Sequence, residues 1–394
     1  MFSLNSAEGY FLHLIKTALK DEPPEEKPNE VEWEKVFEIA LRQNAANLAW
    51  FSIEKLNNKP QGEIYNMWQQ VYAKAASKCL KQMMEIDLLS EEFTNRGYDI
   101  MFLKGSKIRS YYPSPDMRTM TDIDLLVKAE DRQPIREIMR SLGYEEDLMD
   151  DGQVDAFKKQ PVIYTEIHYD LMYKTHQYHE FFHADWNSFI ETEKPHVYEM
   201  TFEDLYCFNI GHYAKNMYSK GIGVRSVVDC YILWNKATEK QKELIQQKLK
   251  EKQLLEFNSK LVEISDIWFN DCEDNCDLED VQQLLLSNGV YGSKKNLAAV
   301  LLMDNSNAKS SRFSFFMKRI FPSANYLFER YGIKHRNILL IPFLWIRRVF
   351  GLIFSNKEKT DSIKAEVNNL ESINDSDIEF VQSVYKKFGL IDNE

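Results

Sequence analysis

Asp122 and Asp124 stand one residue apart in the apolar run TDIDLLV, downstream of a Gly-Ser pair at Gly105 and Ser106. The run reads as a strand, where residues i and i+2 share a face, so the two carboxylates would point the same way and repel each other. A positive partner must sit between them. Hard divalent cations fill that role in phosphoryl-transfer sites, where a few carboxylates and the substrate phosphates hold the ion. A third acid, Glu166, lies in VIYTEIHYDL, whose alternation predicts a strand with Val162, Tyr164, Glu166 and His168 on one face. Carboxylates so grouped could hold two ions about 3.5–4 Å apart, which clamp the attacking and leaving oxygens of an in-line displacement. Asp122, Asp124 and Glu166 are therefore the candidate catalytic acids and metal ligands.

The Gly-Ser pair suggests where a phosphate would sit. YDIMFLKG predicts a strand ending at Gly105, and Ser106 opens a short helix, SKIRSYY, stopped by Pro113 and Pro115. A helix start offers unpaired N–H groups to an anion, glycine lets the backbone approach closely, and the Ser106 hydroxyl adds a donor. Lys104 or Lys107 supplies positive charge. A second pair, Gly292 and Ser293, has no D-x-D after it and is given no function.

The elements that must position these residues follow from periodicity. Helical spacing covers the first ninety or so residues, broken by DEPPEEKPNE and NNKPQGE, and predicts a long helix from about Ile64 to Asn95. A helix with Pro134 in its first turn follows TDIDLLV and ends at the SLGY turn. Beyond residue 176 the pattern is helical again, with a cap at Thr201 and a further helix in GIGVRSVVDCYILW. The expected class is α+β and mostly helical, with a small mixed sheet flanked by helices. The expected division is a helical region over 1–95, an α/β core over 96–175, a helical domain closing the cleft over 176–308, and a basic aromatic segment, polar linker and terminal helix over 309–394.

The order strand, Gly-Ser, helix, D-x-D and distant acid resembles the polymerase-β-like nucleotidyltransferase superfamily. More closely, FLKGSKIRSYYPSPDMRTMTDIDLLV, LGY and TEIHYDL resemble a bacterial family of uncharacterised nucleotidyltransferases, over about residues 97–172. The resemblance implies Mg2+ or Mn2+ as cofactor, an NTP as substrate, Asp122, Asp124 and Glu166 as metal ligands, and Gly105, Ser106 and Lys104 at the phosphates. Arg118 falls where the family pattern carries arginine. Lys215 and Arg225, in the helical segment, would touch phosphates or base; by spacing alone Arg225 and Asp229 are an ordinary i,i+4 ion pair near a partly buried His212.

The expected activity is transfer of a nucleoside monophosphate from an NTP to an acceptor, with release of pyrophosphate. A D-x-D glycosyltransferase using a nucleotide-sugar and an inactive nucleotide-binding module remain alternatives. The stretch HEFFH, His179 to His183, matches a zinc-protease motif if helical, although its flanks lack a long helical pattern.

A net charge of −12 argues against a surface devoted to nucleic acid. The charge is uneven: Lys309 to Lys357 holds ten Lys or Arg against one acid, Glu329, making this segment +9 and the rest −21. Its aromatic, basic character suits an anionic membrane or a nucleic acid backbone, or else helices packed on a core with their cations in water. Five scattered cysteines suit reduced thiols, the N-terminus lacks a basic leader, and the longest uncharged apolar run, Ile338 to Ile346, is too short to span a bilayer. The expected location is cytoplasmic, with peripheral contact at the inner membrane face through 309–357 as one alternative.

Overall fold

The structure, a computed structural model, describes residues 3–149, 153–174, 176–219, 221–270, 272–273, 276–289, 337–353 and 373–391, with scattered positions between 300 and 333. Two compact units are present: residues 1–217 with 222–291, and residues 218–221 with 292–394.

Four helices open the first unit: α1 (Ala7–Lys20), α2 (Trp33–Arg42), α3 (Ala46–Ile53) and α4 (Glu63–Arg96). The long helix expected from about Ile64 to Asn95 is α4, and it stops at Gly97, whose φ of 74° is the left-handed conformation that glycine adopts without cost. The chain then runs through β1 (Ile100–Phe102), a single turn α5 (Gly105–Ile108), β2 (Ile123–Val127), α6 (Arg132–Ser141), β3 (Glu145–Met149), β4 (Val154–Lys159), β5 (Ile163–His168), β6 (Ile190–Glu191) and β7 (Val197–Glu199). Helices α7 (Phe202–Met217), α8 (Val224–Lys236), α9 (Glu239–Glu251), α10 (Leu255–Phe269) and α11 (Glu279–Ser287) complete the unit. The Thr201 hydroxyl accepts the Asp204 N–H at 3.1 Å, the expected cap of α7.

The strands form one mixed sheet in the order β3-β4-β5-β2-β1-β7-β6, with β2 parallel to β5 and antiparallel to β1. The fold is α+β, as expected, but the sheet is larger than the three strands that alternation predicted. The four additional strands are two or three residues long (β6, β7) or carry charges in place of a clean apolar alternation (EEDLM in β3, VDAFKK in β4). In β4 the charge has a structural use: Asp155 is fully buried, and its carboxylate takes bidentate bonds from Arg132 and Arg136 of α6 and one from the Tyr169 hydroxyl.

One sheet face packs against α4 and α6. Ile123, Leu125 and Val127 of β2 and Ile163 and Ile167 of β5 meet Leu89, Phe93, Ile135 and Met139 there. Burial of these alternate residues fixes the strand faces, so Asp124 of β2 and Glu166 and His168 of β5 point away from this core.

The connection from α5 to β2 is wound into two 3-10 turns, Arg109–Tyr111 and Pro115–Met117, and held to the N-terminal helices. Asn47 donates to the carbonyls of Asp116 (2.6 Å) and Met117 (2.9 Å), and Gln82 to that of Met120 (3.3 Å). From the other side, Asp229 of α8 accepts both guanidinium arms of Arg118 at 2.8 Å, the Tyr112 hydroxyl at 2.6 Å and the Tyr213 hydroxyl at 2.9 Å. All four groups are buried. Arg118 in turn roofs Gly105: a Cβ there would lie 2.5 Å from Arg118 Nη1 and 2.7 Å from Met120 Sδ.

In the second unit, α12 (Ile341–Ile353) follows a 3-10 turn at Ile338–Leu340, and α13 (Asp375–Lys387) is the expected terminal helix, capped by the Asn374 side chain. Most of residues 309–336, the polar linker and the Gly292-Ser293 pair lie outside the described residues.

Removing Asp229 would strand the Arg118 guanidinium in the interior, so Asp229→Ala should cost about 3–5 kcal/mol in urea unfolding. Asp229→Asn, which keeps the acceptor oxygen, should cost less.

Candidate functional site

Parallel pairing of β2 with β5 sets Asp124 directly beside Glu166. His168, two residues along β5, shares their face. Its Nε2 lies 2.8 Å from Asp124 Oδ1 and 3.4 Å from Glu166 Oε2. The Lys104 ammonium donates to the same Asp124 oxygen at 2.6 Å. Two of the three expected acids are thus brought together by strand register, and the positive charge that the D-x-D demanded is partly supplied by the chain itself.

Asp122 sits just before β2 rather than within it. Its carboxyl faces Asp124 and Glu166 closely enough that burial and the charges of these two acids push its pKa up to about 6, against the pull of Lys104. Burial works against ionised Asp124 too, but Lys104 and His168 hold its pKa well below the usual carboxylate range. Glu166 is half-buried and lowered, chiefly by its hydrogen bond with His168. The three acids therefore differ: Asp124 and Glu166 are firmly charged, and Asp122 loses its proton only around pH 6.

Lys104 has a φ of 46° and a ψ of −120°, a conformation that strains any residue but glycine. A lysine there points its side chain from the end of β1 across to Asp124. The neighbouring turn is tighter than expected. The Ser106 N–H donates to the Leu103 carbonyl at 3.2 Å and the Lys107 N–H to that of Lys104 at 3.1 Å, so both amides close the turn and are not held open for an anion. The Ser106 hydroxyl oxygen is buried without a hydrogen-bond partner. Lys107 pairs with Glu199.

Arg118 gives its Nε and Nη2 donors to Asp229, and its Nη1 lies over Gly105. Arg225 donates to the Thr119 carbonyl at 3.5 Å, and its charge helps to keep Asp229 ionised. Lys215 of α7 stacks over the Tyr173 ring at 5.0 Å. Nearer the acids on α7 is His212, which burial and the charges of Lys104 and Lys215 keep well below the ordinary histidine range, hence neutral.

Two further side chains at the site were not assigned by sequence reasoning. His168 had a visible signal, the i,i+2 spacing from Glu166 on a strand. Lys78, which donates to the Thr121 carbonyl at 2.9 Å and feels the Asp122 charge, comes from α4 and had none. HEFFH is not helical in the way a zinc pair needs. His179–Phe181 is a single 3-10 turn, and His179 Nε2 is engaged 2.8 Å from Asp170.

The donor set suits a divalent cation. One ligand atom each from Asp124, Glu166 and His168 lie within 4.8 Å of one another. Hard carboxylate oxygens fit Mg2+ or Mn2+, and the imidazole favours Mn2+ of the two.

A mixed sheet that sets acids on neighbouring parallel strands beside a Gly-Ser turn is an α+β fold of the nucleotidyltransferase type. A family model of uncharacterised nucleotidyltransferases matches residues 29–270, more than half of the chain, and the chain belongs to that family. The match reaches well beyond the motif-bearing stretch, from just before α2 to the end of α10. Membership supports nucleotidyl transfer as the general activity and an NTP as substrate. No curated protein and no solved structure matches the chain. Among the described residues no helix is long and apolar enough to cross a membrane.

Asp122 is raised in the folded chain, so by linkage its ionisation opposes folding: the penalty is absent below the unfolded pKa of 3.8 and complete above about 6. Without added metal, Asp122→Asn should therefore stabilise the protein by about 1–2 kcal/mol at pH 7, after allowance for partial exposure, and by nothing below pH about 4. Chemical denaturation at the two pH values in a chelating buffer measures both.

Proposed function

We propose that this chain transfers a nucleoside monophosphate from an NTP to an acceptor hydroxyl and releases pyrophosphate. The observation that carries the reading is the parallel register of Asp124 with Glu166 on the face beside Lys104 and Ser106.

In this reading Asp122, Asp124 and Glu166 bind divalent cation, with His168 as a further donor. The bound cation would neutralise charge on the phosphates and on the leaving oxygen. Lys104 exchanges its bond with Asp124 for one with a phosphate oxygen, and the strained backbone holds its ammonium at the required end of β1. Ser106 donates its hydroxyl to the triphosphate, and Gly105, which has no side chain, leaves the room in which Arg118 and Met120 pack against the turn. The acceptor oxygen forms a bond to the α-phosphorus as the α–β phosphoanhydride bond breaks. The hydroxyl proton passes to Glu166, and pyrophosphate carries away the electron pair. Arg118 acts through Gly105, as a positioning residue for the turn.

The test is incubation with each labelled NTP and Mg2+ or Mn2+ in the presence of a small-molecule extract. Pyrophosphate release is expected, falling by about 10²–10³-fold in Asp124→Ala, the loss typical of removing one group that stabilises transition-state charge. Lys104→Met should raise KM for the NTP and lower kcat together. UDP release from a UDP-sugar would instead mean glycosyl transfer, and saturable NTP binding without turnover would mean a nucleotide-binding module.

A further inference from the structure

Helix α12 is apolar on two sides. Ile341, Leu344 and Trp345 form one row, spaced i, i+3, i+4, and pack with Leu327 and Phe328 into a small core. Phe343 and Ile346 belong to a second row that points into solvent, 70% and 54% exposed, and the preceding turn extends it with Ile338 and Leu339 at 74% and 77%. Leu340 is also exposed. A contiguous set of bulky apolar side chains on a protein surface marks a contact site, since isolated exposed residues are common and clusters of this kind are not.

The charge around this cluster indicates what covers it. Arg347, beside Ile346, is exposed, and the cluster lies within the segment from Lys309 to Lys357 that carries +9 on a chain that is otherwise −21. Exposed apolar residues within a basic segment match the two layers of an anionic lipid surface, acyl chains beneath charged headgroups. A nucleic acid would satisfy the cations but leave Leu339, Phe343 and Ile346 in water. A second copy docked through the same face would bring two +9 segments together. A helix of 13 residues is about 20 Å long, too short to cross the roughly 30 Å hydrocarbon layer, so it would lie in the interface plane.

We propose that α12 and the turn before it dock this chain onto an anionic lipid surface, with Leu339, Phe343 and Ile346 entering the acyl boundary and Arg347 at the headgroups.

The full chain is tested by flotation with phosphatidylcholine vesicles, with and without about one-third phosphatidylglycerol. Association with the anionic vesicles is expected, weakened at high salt as screening removes the electrostatic part. It should fall at least about tenfold in Phe343→Asp/Ile346→Asp, which alters only exposed positions, with unchanged far-UV circular dichroism and melting. Leu339→Asp alone should give a smaller loss in the same direction. The proposal is overturned by absence of flotation at low salt, by equal binding of the double variant, or by self-association in solution that the double variant abolishes while vesicle binding stays at background. These outcomes do not depend on nucleotidyl transfer.

Discussion

A single carboxylate oxygen, Oδ1 of Asp124, receives the Lys104 ammonium at 2.6 Å and lies 2.8 Å from the His168 imidazole. Much of the surrounding architecture follows from making that arrangement tolerable. An ionised acid on the solvent-poor face of a sheet is costly unless it is paired. The pairing requires Lys104 to leave β1 with a positive φ, and that conformation leads directly into the tight Gly105 turn. His168 must share a face with Asp124, which the parallel register of β2 with β5 ensures. The third acid, Asp122, sits outside these bonds, and burial and its neighbours' charges express the remaining strain as a raised pKa.

Other buried acids in the same unit serve the scaffold, and comparison with them shows what distinguishes Asp124. Asp155 is enclosed by two bidentate arginines and a tyrosine, and Asp229 by Arg118 and two tyrosines. In both, the acid's oxygens are saturated by donors with fixed geometry, which suits a structural joint between helix and sheet or between helix and turn. At Asp124 the main partner is a lysine, a point charge on a flexible stem, and the acids beside it have acceptor capacity left over. That difference separates a site able to accept a cation and phosphates from one already complete.

The two units differ in what they carry. The first carries the family match and the acids on a net negative chain, and the second contains the described part of the basic segment with its exposed apolar helix face.

Local patterning in the sequence determined the extent of α4, the strands around Phe102, Asp124 and Glu166, the cap at Thr201 and the D-x-D with its distant acid, because periodicity, glycine stops and caps act within a few residues. It also determined the charge asymmetry of the segment from Lys309 to Lys357. Tertiary structure alone decided that β3, β4, β6 and β7 join the sheet, that Arg118 pairs with Asp229, that Lys78 and His212 approach the acids, and that Lys104 is the counter-ion of Asp124. The physical reason is the same in each case. These outcomes depend on which partner reaches a buried charge or a sheet edge first among groups far apart along the chain, and nothing in residue spacing encodes that competition.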